Sequence, residues 1–406
     1  MKKVSLIYGY SPRNAGDFAI TIGAIDVLRS CGAKIRLFSR YNRSNKDFSD
    51  AENLLKKLYG DELEIMESPF NLDRKDGLYK TLKSYVDGAL SVSGLKRNSE
   101  FRKSLLDCDL LIFNGGNLFR CSSIIDYTRL KALMYPLELA INEKPIIIFP
   151  QSAAKINTMG KSVLFPVLRE AEKIYIREKE SFEYLSGITS NENFFQTIDL
   201  AFFIDKSRVK ELEKFKGHIA ITLRGHTVGD IYELEESKLS HICNELKKTV
   251  EFLGKEKFII VIQSEKDIPL SERLSKMLNI ETFETHDPIE LLSIYKSAKL
   301  LIGMRLHSII LALSTGTPCY GVFYKEWGLK NPGMMKYFNM PYHFLDDFSP
   351  LNERDLADMK DLADNKDVYS EKILAIVDSE KEKFTNSLSD IIKAVEITPP
   401  PTINRI

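Results

Sequence analysis

The sequence predicts an α/β protein of two Rossmann-like domains facing a cleft, and three observations support that fold class. The chain has 406 residues, which is more than one ordinary hydrophobic core accommodates. Short apolar runs typical of buried strands alternate with longer segments of helical spacing, and the connections between them are short. Several of these runs end at a glycine or a polar residue, where open α/β sheets bind their ligands. Such alternation predicts parallel sheets with helices on both faces.

The first half of the chain shows this alternation clearly. A helix from Phe18 to Cys31 ends at Gly32, and a second helix, which ends at Gly60, carries a capping box of Ser49 and Glu52. Two glycines lie at a strand-to-helix turn, Asn114-Gly115-Gly116-Asn117, before a helix over residues 124–142. Strands are predicted at Val4–Tyr8, Ile35–Ser39, Leu110–Phe113, Pro145–Phe149 and Lys173–Ile176.

A charged stretch at residues 205–216 marks the predicted junction between domains. The pattern then resumes with a helix near residues 233–253 and a helix start at Asp287-Pro288. The predicted division is a first Rossmann-like domain at 1–205, a second at 206–345, and a helical extension at 346–406 with a frayed tail at Pro399 to Pro401. Strands in the second domain are predicted at His218–Leu223, Phe258–Ile262, Leu300–Ile302 and Tyr320–Tyr324.

Composition excludes several classes of protein. Lys plus Arg and Asp plus Glu both total 57, so the formal net charge is zero, which argues against a nucleic-acid-binding protein. The 5 cysteines include no C-x-x-C pair, so we expect neither a disulfide framework nor a zinc site. The first apolar run is too short for a signal peptide, and no apolar stretch reaches the about 18 residues of a membrane span. We therefore expect a soluble, cytoplasmic protein.

Amide and carboxylate side chains follow predicted strands in three polar segments of the first half of the chain. Asn14-Ala15-Gly16-Asp17 opens a helix, so it suits either an anion site or an ordinary N-cap, and its spacing does not match a G-x-G-x-x-G dinucleotide loop. Asn117, beside the glycine pair, could bind sugar hydroxyls or belong to a tight turn. Gln151 follows the strand-ending Pro150 and could serve the same ligand or satisfy the backbone.

Three arginines and a histidine are the remaining candidate site residues. Arg177, Arg224 and Arg305 each follow an apolar strand; they are solvated charges or, if the two sheets face each other, a site for a small dianion or trianion. His307 follows Arg305 by two residues, and His226 is a second-rank alternative. No histidines and carboxylates have metal-ligand spacing, so no protein-bound metal is expected.

Taken together, these polar segments resemble the sequence motifs of the polysaccharide pyruvyl transferase family. The R-L-H block in GMRLHSIILALSTGTP (303–318) is the most specific part of the resemblance. Two segments depart from the family pattern, the GGN of residues 115–117 and Ser152-Ala153-Ala154. The other matching pieces, over about residues 1–325, are NAGD (14–17), FNGGN (113–117), PQS (150–152), IREKES (176–181), TIDLAF (197–202), ITLR (221–224) and QSEKD (263–267).

The resemblance implies a GT-B-like fold and transfer of pyruvate from phosphoenolpyruvate onto a sugar as a ketal, without a cofactor. It leaves open the acceptor sugar, whether that sugar is lipid-linked, association with the inner face of the membrane, and the oligomeric state. Two alternatives remain: a GT-B glycosyltransferase using a nucleotide sugar, and a non-catalytic saccharide-binding protein. The implied roles are catalysis by His307, Arg305 and Asp17, donor binding by Arg224, Arg305 and Arg177, and acceptor binding by Asn14, Asp17, Asn117 and Gln151.

Overall fold

Two parallel β-sheets organise the chain. The computed structural model describes residues 1–70, 77–96, 99–189, 193–227, 232–254 and 256–395, so the predicted frayed tail at Pro399 to Pro401 lies outside the described residues. Contacts divide the chain into unit 1 (Met1–Ser11, Ile20–Phe203 and the chain from Glu382) and unit 2 (Pro12–Ala19 and Ile204–Lys381). Compared with a division at residue 205, this grouping assigns residues 12–19 to the second unit and the end of the last helix to the first.

In the part of the chain that the structure describes, the sheet of unit 1 has 8 strands, and all their pairings are parallel. The order is β3-β2-β1-β4-β6-β7-β8, with β5 paired to β6. Strands buried on both faces of a sheet appear in sequence as continuous apolar runs, which is why the central strands were predictable. The strands are β1 Lys3–Gly9, β2 Lys34–Ser39, β3 Glu64–Met66, β4 Leu110–Phe113, β5 Gly116–Cys121, β6 Ile146–Ile156, β7 Lys173–Ile176 and β8 Phe194–Gln196.

Helices connect these strands, and one predicted cap is wrong. The second helix begins after Asn45, whose side chain accepts from the N–H of Asp47, so Asn45 is the N-cap. Ser49 lies inside that helix and donates to the carbonyl of Lys46, so it forms no capping box with Glu52. The helices are α1 Ala15–Ser30, α2 Lys46–Tyr59, α3 Gly77–Ser93, α4 Glu100–Leu106, α5 Ile124–Ala140, α6 Thr158–Glu170 and α7 Lys179–Ile188.

The glycine pair after β4 leads into β5 rather than into a helix, so the predicted strand-to-helix turn is wrong. The hydroxyl of Tyr10 donates to the carbonyl of Gly115 at 2.9 Å. A Cβ at Gly116 would lie 2.1 Å from that hydroxyl, and the φ of Gly116 is +142°, so this approach requires glycine. Pairing with β6 extends the chain here, and α5 begins only at Ile124.

Among the described residues, the sheet of unit 2 has 6 strands in the order β11-β10-β9-β12-β13-β14, again all parallel. The strand β12 lies between β9 and β13, so the polar residues after these three strands share one edge of the sheet. The strands are β9 Ile219–Thr222, β10 Phe258–Ile262, β11 Thr282–Glu284, β12 Leu300–Gly303, β13 Cys319–Phe323 and β14 Tyr342–Phe344.

Helices of unit 2 alternate with these strands. The predicted start at Asp287-Pro288 is confirmed: the side chain of Asp287 accepts from the N–H of Ile289 at 2.9 Å, and Pro288 opens the helix. The long last helix begins in unit 2 and ends in unit 1, where Phe384 contacts the rings of Phe149, Tyr175 and Phe203. The helices are α8 Glu236–Leu253, α9 Ile268–Leu278, α10 Pro288–Ser297, α11 Leu306–Ser314, α12 Lys330–Tyr337, α13 Glu353–Asp364 and α14 Lys366–Ala394.

Candidate active site

The segment between β12 and α11 contains the arginine and histidine of the R-L-H block. Arg305 occupies the N-cap position of α11 in an extended conformation, and within the described part of the chain its side chain forms no cap hydrogen bond. The start of an α-helix attracts anions through its N–H groups and dipole. Ser308 fixes the turn, because its hydroxyl donates to the carbonyl of Arg305 and lies 2.8 Å from the hydroxyl of Thr222. The local sequence therefore places His307 in the first turn of α11, where Ser308 bonds back to the N-cap residue.

The first turn of α1 packs against His307 within unit 2. A Cβ at Gly16 would lie 2.5 Å from both the Cβ and the Nδ1 of His307, so this approach requires a glycine. The Nδ1 of His307 lies 4.0 Å from Oδ1 of Asp17, and these side chains are 13% and 40% exposed. Asn14 orients the carboxylate by donating from Nδ2 to Oδ2 of Asp17 at 3.0 Å. The structure thus brings together three predicted site residues: Asn14, Asp17 and His307.

Arg305 binds a buried carboxylate in the same unit. Its Nε and Nη2 donate to the two oxygens of Asp267, the latter at 2.6 Å, and both side chains are buried. Asp267 ends a 3₁₀ turn after β10, and the preceding Ser264 forms a β-bridge with Asn14. The two parallel bonds use the planar fork with which an arginine recognises a carboxylate or phosphate. Any anionic ligand of Arg305 would therefore compete with Asp267 for this fork.

Arg224 is half-buried and has a different environment. Its Nε donates to the carbonyl of His226 at 3.1 Å, and its Nη2 donates to the carbonyl of Thr227 at 2.8 Å. The guanidinium carbon lies 5.1 Å from the ring centroid of Trp327, which is 6% exposed. Trp327 ends the short 3₁₀ turn Lys325–Trp327 after β13. In these contacts, backbone carbonyls and an aromatic face orient the guanidinium.

Tyr324 supports the same turn. Its ring meets that of Trp327 edge-on, with centroids 5.4 Å apart. Burial, reinforced by the carboxylates of Asp346 and Glu326, raises the pKa of Tyr324 above its usual range. That hydroxyl lies 3.4 Å from the carbonyl of Lys238, to which it donates.

Arg177 lies in unit 1, directly after β7. Its Nη1 binds Asp199, and its Nε donates to the hydroxyl of Ser152 at 2.5 Å and to Oε1 of Glu178 at 3.3 Å. The side chains of Arg177 and Asp199 are only 3% and 1% exposed. Ser152 also donates to Glu178, so these four residues form one buried network.

The predicted amides of unit 1 differ in exposure. Gln151 is completely buried, and its Nε2 donates to the carbonyl of Asn114. This contact is the backbone-satisfying role that the sequence left open for Gln151. Asn114 is also buried and donates to the carbonyl of Tyr8 at 3.1 Å. Asn117 is exposed on β5.

Sequence reasoning missed two contributors in unit 2. Asp267 closes the QSEKD segment, but its spacing along the chain gave no indication that it would bind Arg305, 38 residues away. Trp327 is the single tryptophan of the chain and follows a predicted strand, which is the one local signal that could have drawn attention to it. His226, the second-rank histidine, forms a β-bridge with Glu233.

Two properties of the described residues concern metals and membranes. Within those residues, no three His, Cys, Asp or Glu side chains come together in a way that could hold a metal ion. That no metal is needed stays a prediction. Among the helices that the structure describes, none has the length and apolar character required to cross a bilayer.

Comparisons with known proteins identify a family model and a fold. The family model described as polysaccharide pyruvyl transferase matches residues 14–326, which is most of the chain. No curated protein matches the chain in sequence.

Solved structures are similar along the whole chain. One is a protein assigned as a UDP-N-acetylglucosamine 2-epimerase from Listeria monocytogenes, with TM-score 0.60, 13% identity, and coverage of 100% of this chain and 99% of that one. Another is MnaA from S. aureus with UDP, with TM-score 0.58, 14% identity, and coverage of 98% and 99%. A third is the UDP-GlcNAc 2-epimerase from Neisseria meningitidis bound to UDP-GlcNAc, with TM-score 0.57, 10% identity, and coverage of 96% and 100%. At these identities the likeness concerns the fold alone, and it confirms the predicted GT-B-like class.

Proposed function

The chain belongs to the polysaccharide pyruvyl transferase family, and on that premise we propose that it transfers pyruvate from phosphoenolpyruvate onto a sugar of a polysaccharide or of its lipid-linked precursor. One observation carries the proposal: the R-L-H block supplies His307 at a helix start without a side-chain cap, 4.0 Å from the carboxylate of Asp17. An imidazole, a carboxylate and an anion-attracting helix start are the groups that this reaction requires.

The reaction requires one proton on carbon and the loss of two hydroxyl protons. Protonation of C3 of phosphoenolpyruvate gives an oxocarbenium-like centre at C2, which a sugar hydroxyl attacks with loss of its proton. The C2–O bond to phosphate then breaks, and a second hydroxyl of the same sugar attacks C2 and closes the ketal. Of the two protons lost by the sugar, one balances the proton added to C3, and the other leaves on hydrogen phosphate.

We assign proton transfer to His307. An imidazole exchanges protons near neutrality, and such catalysis typically contributes roughly 10²- to 10⁴-fold in rate. Asp17 is half-exposed, and Asn14 holds it toward the imidazole. Asp17 can therefore stabilise a positive charge on His307 or accept a proton from an acceptor hydroxyl.

The arginines bind the donor in this proposal. Phosphoenolpyruvate carries a carboxylate and a phosphate, and Arg224 is a half-buried arginine of unit 2 whose guanidinium contacts two backbone carbonyls and an aromatic ring. Donor binding by all three arginines stays a prediction. The guanidiniums of Arg305 and, in unit 1, of Arg177 each bind a buried carboxylate with which the donor would compete.

The acceptor is the less defined substrate. Asn14 and Asp17 are partly exposed beside His307 and could bind its hydroxyls, whereas Asn117 and Gln151 lie in unit 1. We retain Asn117 as a proposed acceptor-binding residue, because its exposed amide is accessible to a ligand. The proposed setting is the cytoplasm at the inner face of the membrane, where a lipid-linked acceptor would be found.

A nucleotide-sugar glycosyltransferase is the second candidate function, because two of the similar solved structures contain UDP or UDP-GlcNAc. The deciding experiment incubates the protein with phosphoenolpyruvate and candidate saccharides, with phosphate release and the ketal methyl signal in NMR as readouts. Acceptor-dependent phosphate release with a new ketal supports the proposal. Binding of UDP-sugars without competition from phosphoenolpyruvate, and no phosphate release, would contradict it. A protein that retains saccharide alone would be a binding protein.

Substitution by lysine tests the donor site. We expect Arg224→Lys to lower phosphoenolpyruvate affinity markedly, because lysine keeps the charge but loses the planar fork. Arg305→Lys should do the same if Arg305 leaves Asp267 to bind the donor. Calorimetry with phosphoenolpyruvate measures both variants, and unchanged affinity in both would remove the arginines from the donor site.

Chelation tests the prediction that no metal is needed. We expect turnover to survive dialysis against a strong chelator, because charge on the donor would be neutralised by arginine and a helix start. Loss of turnover that Mg²⁺ or Mn²⁺ restores would show that the donor enters as a metal complex.

A further inference from the structure

We propose that Trp327 is a positioning residue for the donor: its ring holds the guanidinium of Arg224 in the orientation that binds an anionic group of phosphoenolpyruvate. This inference rests on the proposed function. Trp327 follows the last residue matched by the family model, Glu326, so that match gives it no role.

Contacts with an aromatic ring and with two backbone carbonyls orient Arg224 among the described residues. The guanidinium carbon lies 5.1 Å from the centroid of the Trp327 ring, within the range of a cation–π interaction. Bonds from Nε and Nη2 to the carbonyls of His226 and Thr227 fix the guanidinium against rotation. A cation held in this way pays little conformational entropy when an anion binds.

The ring itself is firmly placed. Trp327 is 6% exposed, and Tyr324 meets it edge-on with centroids 5.4 Å apart. The buried Nε1 of Trp327 has no hydrogen-bond partner among the described residues. A buried N–H without a partner costs about 1–3 kcal/mol. Hydrogen bonding by Nε1 therefore does not explain why a tryptophan occupies this position. The face of the indole ring does, since tryptophan offers the best cation–π surface.

Arg224 and Trp327 meet at the edge of the sheet that also carries His307. Arg224 follows β9, Trp327 follows β13, and β12, which leads to Arg305 and His307, pairs with both strands. A donor whose enol carbon lies near His307 would thus present its anionic groups toward the neighbouring strand ends.

The main experiment compares Trp327→Leu with Trp327→Phe. We expect Trp327→Leu to raise both the dissociation constant and the KM for phosphoenolpyruvate about tenfold, the effect of losing a desolvated cation–π contact. The kcat and the KM for the acceptor should stay within a few-fold, because neither the imidazole nor the acceptor contacts change. Trp327→Phe keeps an aromatic face and should recover most of the donor affinity. Equal affinity in Trp327→Leu and the native protein, or equal losses in both variants, would overturn the inference.

A matched control separates positioning from general destabilisation. Phe48 in unit 1 lies under Arg43 at the same 5.1 Å and is also buried. Phe48→Leu should lower the melting temperature comparably but leave donor affinity unchanged. If Phe48→Leu weakens donor binding as much as Trp327→Leu, the effect of the latter is merely structural.

Fluorescence tests the same contact without altering the tryptophan. Since the chain contains 1 Trp, emission of the native protein reports on Trp327. We expect phosphoenolpyruvate to change the emission with a midpoint equal to its calorimetric dissociation constant, and Arg224→Lys to abolish most of that change. If calorimetry shows that phosphoenolpyruvate binds but the emission does not change, the inference about Trp327 is overturned and the proposed function is not. Absence of phosphoenolpyruvate binding by the native protein would remove the proposed function and the inference with it.

Discussion

The carboxyl ends of the strands carry arginines in both units, but the two units use them differently. In unit 1, Arg177 binds Asp199 and Glu178 in a network that is almost fully buried. In unit 2, Arg224 is half-buried against Trp327, and a half-exposed Asp17 lies beside His307. The same strand-end pattern in the sequence therefore leads to a closed polar cluster in one unit and to a partly open one in the other. The position of an arginine after a strand therefore does not determine its partners or its burial.

Arg305 is intermediate between the two cases. It lies two residues before His307 in unit 2, yet like Arg177 it pairs with a buried aspartate, Asp267. Its bond to Asp267 connects the turn after β10 with the start of α11. Such a pair stabilises the local geometry even where it does not contact a substrate.

Replacement of His307 should have the largest effect. His307→Ala and His307→Gln should each reduce turnover by roughly 10²-fold or more, because neither side chain can exchange a proton. The amide of glutamine can still form a hydrogen bond, so His307→Gln separates hydrogen bonding from proton transfer. Donor affinity and the circular dichroism spectrum should stay close to those of the native protein. Near-normal turnover in either variant would remove His307 from the mechanism and make His226 the next residue to test.

Breaking the closed cluster of unit 1 should cost stability. Arg177→Met leaves Asp199 buried without its cation, which should lower the free energy of unfolding by about 3–5 kcal/mol in denaturant titration. Arg29→Met is a matched control, because Arg29 pairs with Glu62 at 2.8 Å with side chains 41% and 75% exposed, and such pairs contribute about 1 kcal/mol or less. Unchanged stability with weaker phosphoenolpyruvate binding would instead make Arg177 a donor ligand.

The approach of α1 to His307 gives the smallest expected change. Gly16→Ala should destabilise by about 1–3 kcal/mol, because its Cβ overlaps His307, and turnover should fall as the imidazole is displaced. Gly187→Ala is the control: a Cβ there meets nothing within 4 Å, and alanine favours a helix, so stability should hold or rise slightly. Normal turnover in Gly16→Ala would show that the position of His307 tolerates this displacement.

The sequence by itself determined the alternation of strands and helices. Its strands at Leu110–Phe113, Lys173–Ile176 and Phe258–Ile262 match the structure residue for residue. The reason is local: a strand buried on both faces must be apolar throughout, and turn residues must follow it. The pattern also indicated that Asn14, Asp17 and His307 lie near helix starts, because strand ends and helix starts are recognisable from neighbouring residues.

Only the tertiary structure decided which polar residues meet. The short strand β5 forms within a polar segment because β6 supplies its pairing partner. The contact of Gly16 with His307 and the bond of Arg305 to Asp267 join residues far apart in the chain, and no local periodicity encodes such contacts. Arg177 and Arg224 look alike in sequence, and they differ because folding places a buried aspartate beside one and a tryptophan face beside the other.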